Sequence, residues 1–196
     1  SAATDNLSGV DGYGLYTTGS ASRPGDIKDI EEVSSFSETL SDGTWYFNIS
    51  TTDNSGNWSS SYSTYGPIRI DTIDPGSVSS LDSTSHTAGV ASSNPTVDFS
   101  WSSATDTGSG IAGYGIYTTS NSPSIPGATL DIGAVTSHSE TLTPGTYYFN
   151  IRSVDVAGNW DSDYESFGPI IISNPAPVYS VTPMTAGSPA TFSVTG

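Results

Sequence analysis

From Ser139 to Trp160 the chain reads SETLTPGTYYFNIRSVDVAGNW, and apolar and polar positions alternate through its middle. Tyr147, Phe149, Ile151 and Ser153 fall on one face of an extended segment, and Tyr148, Asn150 and Arg152 on the other. Such a period of two predicts a half-buried strand, closed by turns at Gly145 and at Gly158-Asn159. The passage also occurs earlier as SETLSDGTWYFNISTTDNSGNW, Ser37 to Trp58, with Trp45, Phe47 and Ile49 in the inward places. Two near-identical passages in one chain form a repeat, and a repeat dictates the architecture.

The repeat extends in both directions. Residues 1–18, SAATDNLSGVDGYGLYTT, return at 102–119 as SSATDTGSGIAGYGIYTT. In each copy a polar turn (Asp5 to Gly9, Asp106 to Gly110) leads into a strand with Tyr13 and Leu15, or Tyr114 and Ile116, inward. Loops Gly19–Asp29 and Ser120–Ala128 follow, marked by Arg23-Pro24-Gly25 and by Pro123 to Gly127. A further strand is expected to end at Leu40 or Leu142. Each copy closes on an edge-like strand, YSTYGPIRI at 62–70 or YESFGPIII at 164–172.

One part of the pattern is unequal. PTVDFSW, Pro95–Trp101, alternates with Val97, Phe99 and Trp101 inward, after a Ser-rich lead-in with a short strand expected around Val78–Leu81. The first copy has no counterpart, because the chain begins just after the position equivalent to Trp101. The 174–196 tail does: Phe192-Ser193-Val194 resembles Phe99-Ser100-Trp101, and Thr185-Ala186-Gly187 repeats Thr87-Ala88-Gly89. The expected division is a truncated β-sandwich at 1–74 lacking its first two strands, a complete one at 75–173, and the first two strands of a further domain at 174–196.

Composition supports an all-β reading, since Gly, Ser and Thr abound while the helix formers Leu, Lys and Glu are scarce. The absence of cysteine excludes disulfides and thiolate metal sites. No apolar run approaches the roughly 18–20 residues of a membrane helix, so membrane insertion by a helix is not expected. The chain starts at Ser1, so its targeting signal is not readable. The net charge is −16, from 20 Asp+Glu against 4 Lys+Arg. That balance opposes nucleic acid and anionic membranes, which basic patches attract, and favours cations.

At these positions the chain resembles fibronectin type III domains of the bacterial extracellular variety. The matching residues are Trp101 at the end of strand B, Gly110-Ile111 and Gly113-Tyr114 entering strand C, and Leu142 with Pro144-Gly145-Thr146 at the E–F corner. Asp155 with Ala157-Gly158-Asn159 follows strand F. The resemblance implies tandem Ig-like (fibronectin type III-like) β-sandwiches at the cell surface or outside the cell. It says little about activity, because such sandwiches host many roles. Similar domains place at the E–F corner a tyrosine bonded back to the backbone. Here Tyr147 takes that place in one copy and Trp45 in the other, so either Tyr46 and Tyr148 act from a shifted register or the corner is held differently.

The fold-defining set is then Trp101, Tyr13, Tyr114, Trp45, Tyr147, Phe47 and Phe149. Catalysis is not expected. His86 and His138 are the only histidines, and His138 corresponds to Phe36, so that position carries no shared chemistry. No phosphate loop or zinc spacing is present. A hard cation such as Ca2+ wants carboxylate, amide and carbonyl oxygens clustered on turns. Candidate ligands are Asp5 and Asn6, with Asp106 and Ser109 in the repeat. A second group holds Asp53 and Asn57, with Asp155, Asn159 and Asp161, and the linker supplies Asp71 and Asp74. The same residue types also serve simply as turn formers. Trp58 and Trp160 suit either packing under a turn or stacking on sugars. Asn6, Asn48 and Asn57 each begin an Asn-X-Ser sequon.

The resulting expectation is a non-catalytic structural subunit of an extracellular filament, stalk or adhesin shaft. Identical subunits would join head to tail, by donation of a C-terminal segment containing Val178, Val181, Phe192 and Val194, or as modules of one longer covalent array. The alternative is a carbohydrate-binding or spacer module of a secreted polysaccharide-degrading enzyme, with surface glycans as partners.

Overall fold

A computed structural model describes residues 3–174. The domain segment expected over 174–196, with Val178, Val181, Phe192 and Val194, falls outside the described residues but for Asn174. The described chain is all-β, with three sheets and no helix, an arrangement compatible with β-sandwich architecture.

Two compact units divide it. The first takes in the chain up to Pro75 together with the loops Thr105–Ile111 and Asp155–Trp160. The second holds Gly76–Ala104, Ala112–Val154 and the chain from Asp161. Grouping those two loops with the first unit is not something a linear boundary near residue 74 anticipates.

The first unit is one antiparallel sheet. Its strands are β1 (Val10–Thr18), β2 (Ile30–Glu31), β3 (Gly43–Asp53) and β4 (Ser63–Ile70), in the order β2-β1-β3-β4. The second unit has two sheets, built from β5 (Ser79–Ser83), β6 (Ala91–Ser92), β7 (Thr96–Ser102), β8 (Ile111–Thr119), β9 (Ile132–Gly133), β10 (Ser137–Thr141), β11 (Gly145–Asp155) and β12 (Glu165–Ile172). One sheet runs β6-β12-β11-β8-β9 and the other β10-β7-β5. Strands β8, β9, β11 and β12 repeat β1 to β4 in sequence and in pairing. Even the register shift is shared, at Trp45/Phe47 against β4 and at Tyr147/Phe149 against β12. It falls where Gly66-Pro67 and Gly168-Pro169 are both cis. Gly168 has φ +155, and a β-carbon there would meet the Tyr148 ring at 2.7 Å, so only glycine fits.

The core of the second unit lies between its sheets. Phe99 from β7 stacks on Phe149 from β11, ring centroids 4.0 Å apart, and Trp101 meets Tyr114 edge-on at 5.6 Å. Val97, Phe99, Trp101, Tyr114, Phe149, Ile151 and Ile170 are all buried.

Two sequence expectations change in detail. The face of β11 opposite Phe149 is not a solvent face: Asn150 is fully buried, as is Asn48 in β3. Each accepts a backbone N–H from the loop after β1 or β8 (Ser22 or Ser124) and donates to two strand carbonyls, Tyr16 and Tyr46 or Tyr117 and Tyr148. This bracing pins the Gly19–Asp29 and Ser120–Ala128 loops and takes Asn48 out of reach of glycosylation in the folded chain. In addition, β12 is not an edge, since β6 pairs with it in parallel.

The corner is held without Tyr46 or Tyr148. Trp45 donates its indole N–H to the Ser41 carbonyl at 2.9 Å, and the Tyr147 hydroxyl lies 3.0 Å from Thr143 Oγ1. Both side chains reach back four residues, so a Trp N–H replaces a Tyr O–H at equivalent positions.

Candidate functional site

Among the described residues two places stand out as candidate sites, an acidic cluster and an uncovered sheet face. The acidic cluster begins with local turn chemistry. Asp5 Oδ2 accepts the backbone N–H groups of Leu7, Ser8 and Gly9, and Asp106 Oδ2 those of Gly108 and Gly110. Asp53 and Asp155 each hold the Gly-Asn turn that follows, through N–H groups and the side-chain amide of Asn57 or Asn159. These are the turn roles such residues perform anywhere.

In the copy containing Asp106 and Asp155 a third carboxylate joins. Asp71 Oδ2 accepts the Ser109 N–H at 2.6 Å, and the Asp71 carbonyl accepts the Asn159 amide at 3.1 Å. Carboxylate oxygens of Asp71, Asp106 and Asp155 lie within 4.8 Å of one another, and Asp155 is buried. Asp106 Oδ1 is buried without a hydrogen-bond partner. The close approach depends on Gly108, because a β-carbon there would strike the Asp71 carboxylate. The equivalent residue of the first copy is Leu7, which is fully exposed.

Hydrogen bonding to the charged form sets the acidities. The Ser109 hydroxyl, chiefly, and the N–H groups of Ile73 and Ser109 hold Asp71 below the ordinary carboxylate range, against a smaller opposing effect of burial. The Gly9 N–H, then that of Leu7, does the same for Asp5. The Asn57 side chain, then its N–H, does so for Asp53. Three convergent carboxylates are oxygen donors of the kind a hard cation takes, although Ca2+ completes its shell with six to eight oxygens.

Of the sequence candidates, the fold gathers Asp71, Asp106 and Asp155 and places Ser109 and Asn159 in hydrogen-bond contact with them. Asp5, Asp53 and Asn57 form their own turns, linked through Ser8. Asn6 is exposed, and Asp74 lies outside the gathered carboxylates. Asp161 is buried elsewhere, with Oδ1 accepting the Asp163 N–H.

The histidines have structural surroundings. His86 is buried between Ser85 Oγ, 2.9 Å from Nδ1, and the Asn94 carbonyl, 3.0 Å from Nε2. His138 stacks on Phe149 at 6.0 Å, just as Phe36 stacks on Phe47 at 5.9 Å. That position therefore does share a role between copies, and the role is packing. Trp58 lies against Gly14, where a β-carbon would meet its ring at 3.0 Å, and it bridges to Thr52.

The second place is the sheet face of the first unit. Tyr13, Ile30, Phe36, Leu40, Phe47, Ile49, Tyr65 and Ile68 line an open groove of about 440 Å³. In the second unit the equivalents of Phe47 and Ile49, Phe149 and Ile151, are fully buried by the β10-β7-β5 sheet. Tyr65 is 73% exposed, whereas its equivalent Phe167 is 9% exposed. The segment Ser35–Thr39 is not a strand, although Ser137–Thr141, sharing its Ser-Glu-Thr, is β10 and pairs with β7. Sequence pattern named Tyr13, Phe47 and Ile49 as inward but could not show that no described strand covers them.

Neither a protein-family model nor a curated protein sequence matches this chain.

Proposed function

We propose that the chain is a non-catalytic structural subunit of an extracellular filament, stalk or adhesin shaft, built from tandem Ig-like (fibronectin type III-like) β-sandwiches. One observation carries the reading. Among the described residues no strand covers the apolar sheet face of the first unit, whereas the second unit covers the equivalent face with β5, β7 and β10. A sheet that leaves aromatic residues and a strand position open is suited to serial joining, because contact with further material of the same kind completes it. The strongly acidic surface suits a repetitive β chain that must stay soluble outside the cell. Ca2+ at the Asp71–Asp106–Asp155 cluster belongs to this reading as a clamp on the turns that meet there. The carbohydrate-binding alternative gains no support from Trp58, whose ring packs on Gly14.

Immunogold labelling of intact cells that make the protein tests the proposal. Label along thin surface fibres is the expected result. Label confined to the cell interior, or to a secreted enzyme without fibres, overturns it.

A further inference from the structure

Strand β2 pairs with β1 at Gly12 and Tyr13, and β9 pairs with β8 at Gly113 and Tyr114. Past those two-residue ladders, no strand among the described residues lies beside residues 15–18 or 116–119 on that side. An open edge of this kind offers its N–H and C=O groups to any other strand that meets it.

In both units an aspartate side chain stands at the first open donor. Asp29 gives its backbone N–H to the Tyr13 carbonyl at 2.9 Å, and its Oδ2 accepts the Leu15 N–H at 2.7 Å. Asp131 gives its N–H to the Tyr114 carbonyl at 3.0 Å, and its Oδ2 accepts the Ile116 N–H at 2.9 Å. Each carboxylate oxygen thus replaces a backbone carbonyl that a longer β2 or β9 would bring. These contacts are not local turn chemistry. Asp5, Asp53, Asp106 and Asp155 hold N–H groups four residues on, whereas Asp29 and Asp131 reach back 14 and 15 residues to a strand.

The loops that deliver the two carboxylates are not alike. Between the shared Pro-Gly (Pro24-Gly25, Pro126-Gly127) and the shared Asp-Ile, Asp26-Ile27-Lys28 stands against Ala128-Thr129-Leu130. The spacing from strand to aspartate differs as well, 14 residues against 15. The carboxylate nevertheless meets the same N–H in both units, and both aspartates are exposed, so no packing demand fixes them there.

We infer that Asp29 and Asp131 are edge plugs, which keep copies of this chain from pairing side by side through β1 and β8. The partner excluded is a second copy, because two identical edges meet antiparallel about a two-fold axis and complete each other's ladders. Occupying the donor, rather than adding charge, is what blocks the ladder. The plugs govern sideways association and are independent of how subunits join end to end.

Sedimentation velocity of the full chain, together with amide exchange followed by NMR, tests this against the unmodified chain. D131A frees the Ile116 N–H, so in dilute solution that amide should exchange at least about tenfold faster. On concentration, D131A should form pairs of whatever species the unmodified chain forms. Each pair regains two hydrogen bonds, so the association constant should rise at least about tenfold. D131N keeps an oxygen able to accept the N–H and should behave as the unmodified chain does. D29A should repeat the D131A result from the first unit, and D29A/D131A, with two open edges, should grow past pairs. T118P added to D131A should abolish the pairing, because it removes the next N–H on the same edge. Circular dichroism checks that each variant keeps its strands.

Folded D29A and D131A chains that sediment as the unmodified chain does overturn the inference. So does a D131N chain that associates as strongly as D131A. Association of D131A that survives T118P overturns it as well, because another surface then joins the copies.

Discussion

The two copies of one strand set, β1 to β4 and β8, β9, β11 and β12, differ less in themselves than in what lies over them. Phe149 and Phe47 sit at the same place in the same sequence context, SETL…G-T-aromatic-Tyr-Phe-Asn-Ile. Phe149 is fully buried beneath Phe99, while Phe47 is only half-buried, with Phe36 beside it. On the opposite face the copies agree closely, since Asn48 and Asn150 are equally buried and make equivalent bonds. Burial of the loop-facing side is thus intrinsic to a copy. Burial of the other side is supplied by strands from elsewhere in the chain.

Truncating the two phenylalanines should break the symmetry most. In the monomeric chain Phe149→Ala is expected to cost about 3–5 kcal/mol, from lost transfer energy plus a cavity under Phe99. Phe47→Ala should cost about 1 kcal/mol, because its face is already half open. Urea denaturation followed by circular dichroism compares them, and equal costs would mean that the first face is covered in solution.

The asparagines probe the side on which the copies agree. Asn48→Ala and Asn150→Ala each strand a loop N–H and two strand carbonyls. Each should cost roughly 1–3 kcal/mol, and the two costs should match. Unequal losses in the same denaturation series would show that the loops are not held equivalently.

Acid should act through the first unit, which holds Asp5, Asp53 and Asp71. The folded-state pKa of Asp5, Asp53 and Asp71 lies below its unfolded value. Their stabilisation is therefore complete above about pH 4, the unfolded value, and is lost as pH falls through the folded values. The Tm should hold from pH 7 to about 5 and fall below about 4, with a shallower fall in D5N/D53N. A Tm that rises on acidification contradicts the hydrogen-bonding account.

The smallest expected effect separates the copies again. Adding Ca2+ should raise the Tm by on the order of 1–3 °C through the Asp71–Asp106–Asp155 cluster, an effect that D106N removes and D5N leaves intact. A rise unaffected by D106N would place the ion elsewhere.

Much of this was legible from residues close together in sequence. The repeat, the strands carrying Tyr13, Phe47, Tyr114 and Phe149, and the turns at Asp5, Asp53, Asp106 and Asp155 follow from alternation and turn chemistry. The roles of Trp45 and Tyr147 were harder to read, because an indole N–H and a phenol O–H substitute for each other only once the corner geometry is known. Burial of Asn48 and Asn150 was hidden for a related reason. A period of two assigns a side of the strand, but it does not say whether a loop folds over that side.

The amino-acid sequence by itself determined the all-β class, the repeat and the two polar turns of each copy, because those depend on torsional preference and side-chain period over a few residues. The tertiary structure alone decided that Ser35–Thr39 is not a strand while Ser137–Thr141 is, and that Asp71 meets Asp106 and Asp155. Strand pairing and carboxylate convergence both need partners brought from far along the chain, and no local pattern records whether such a partner arrives.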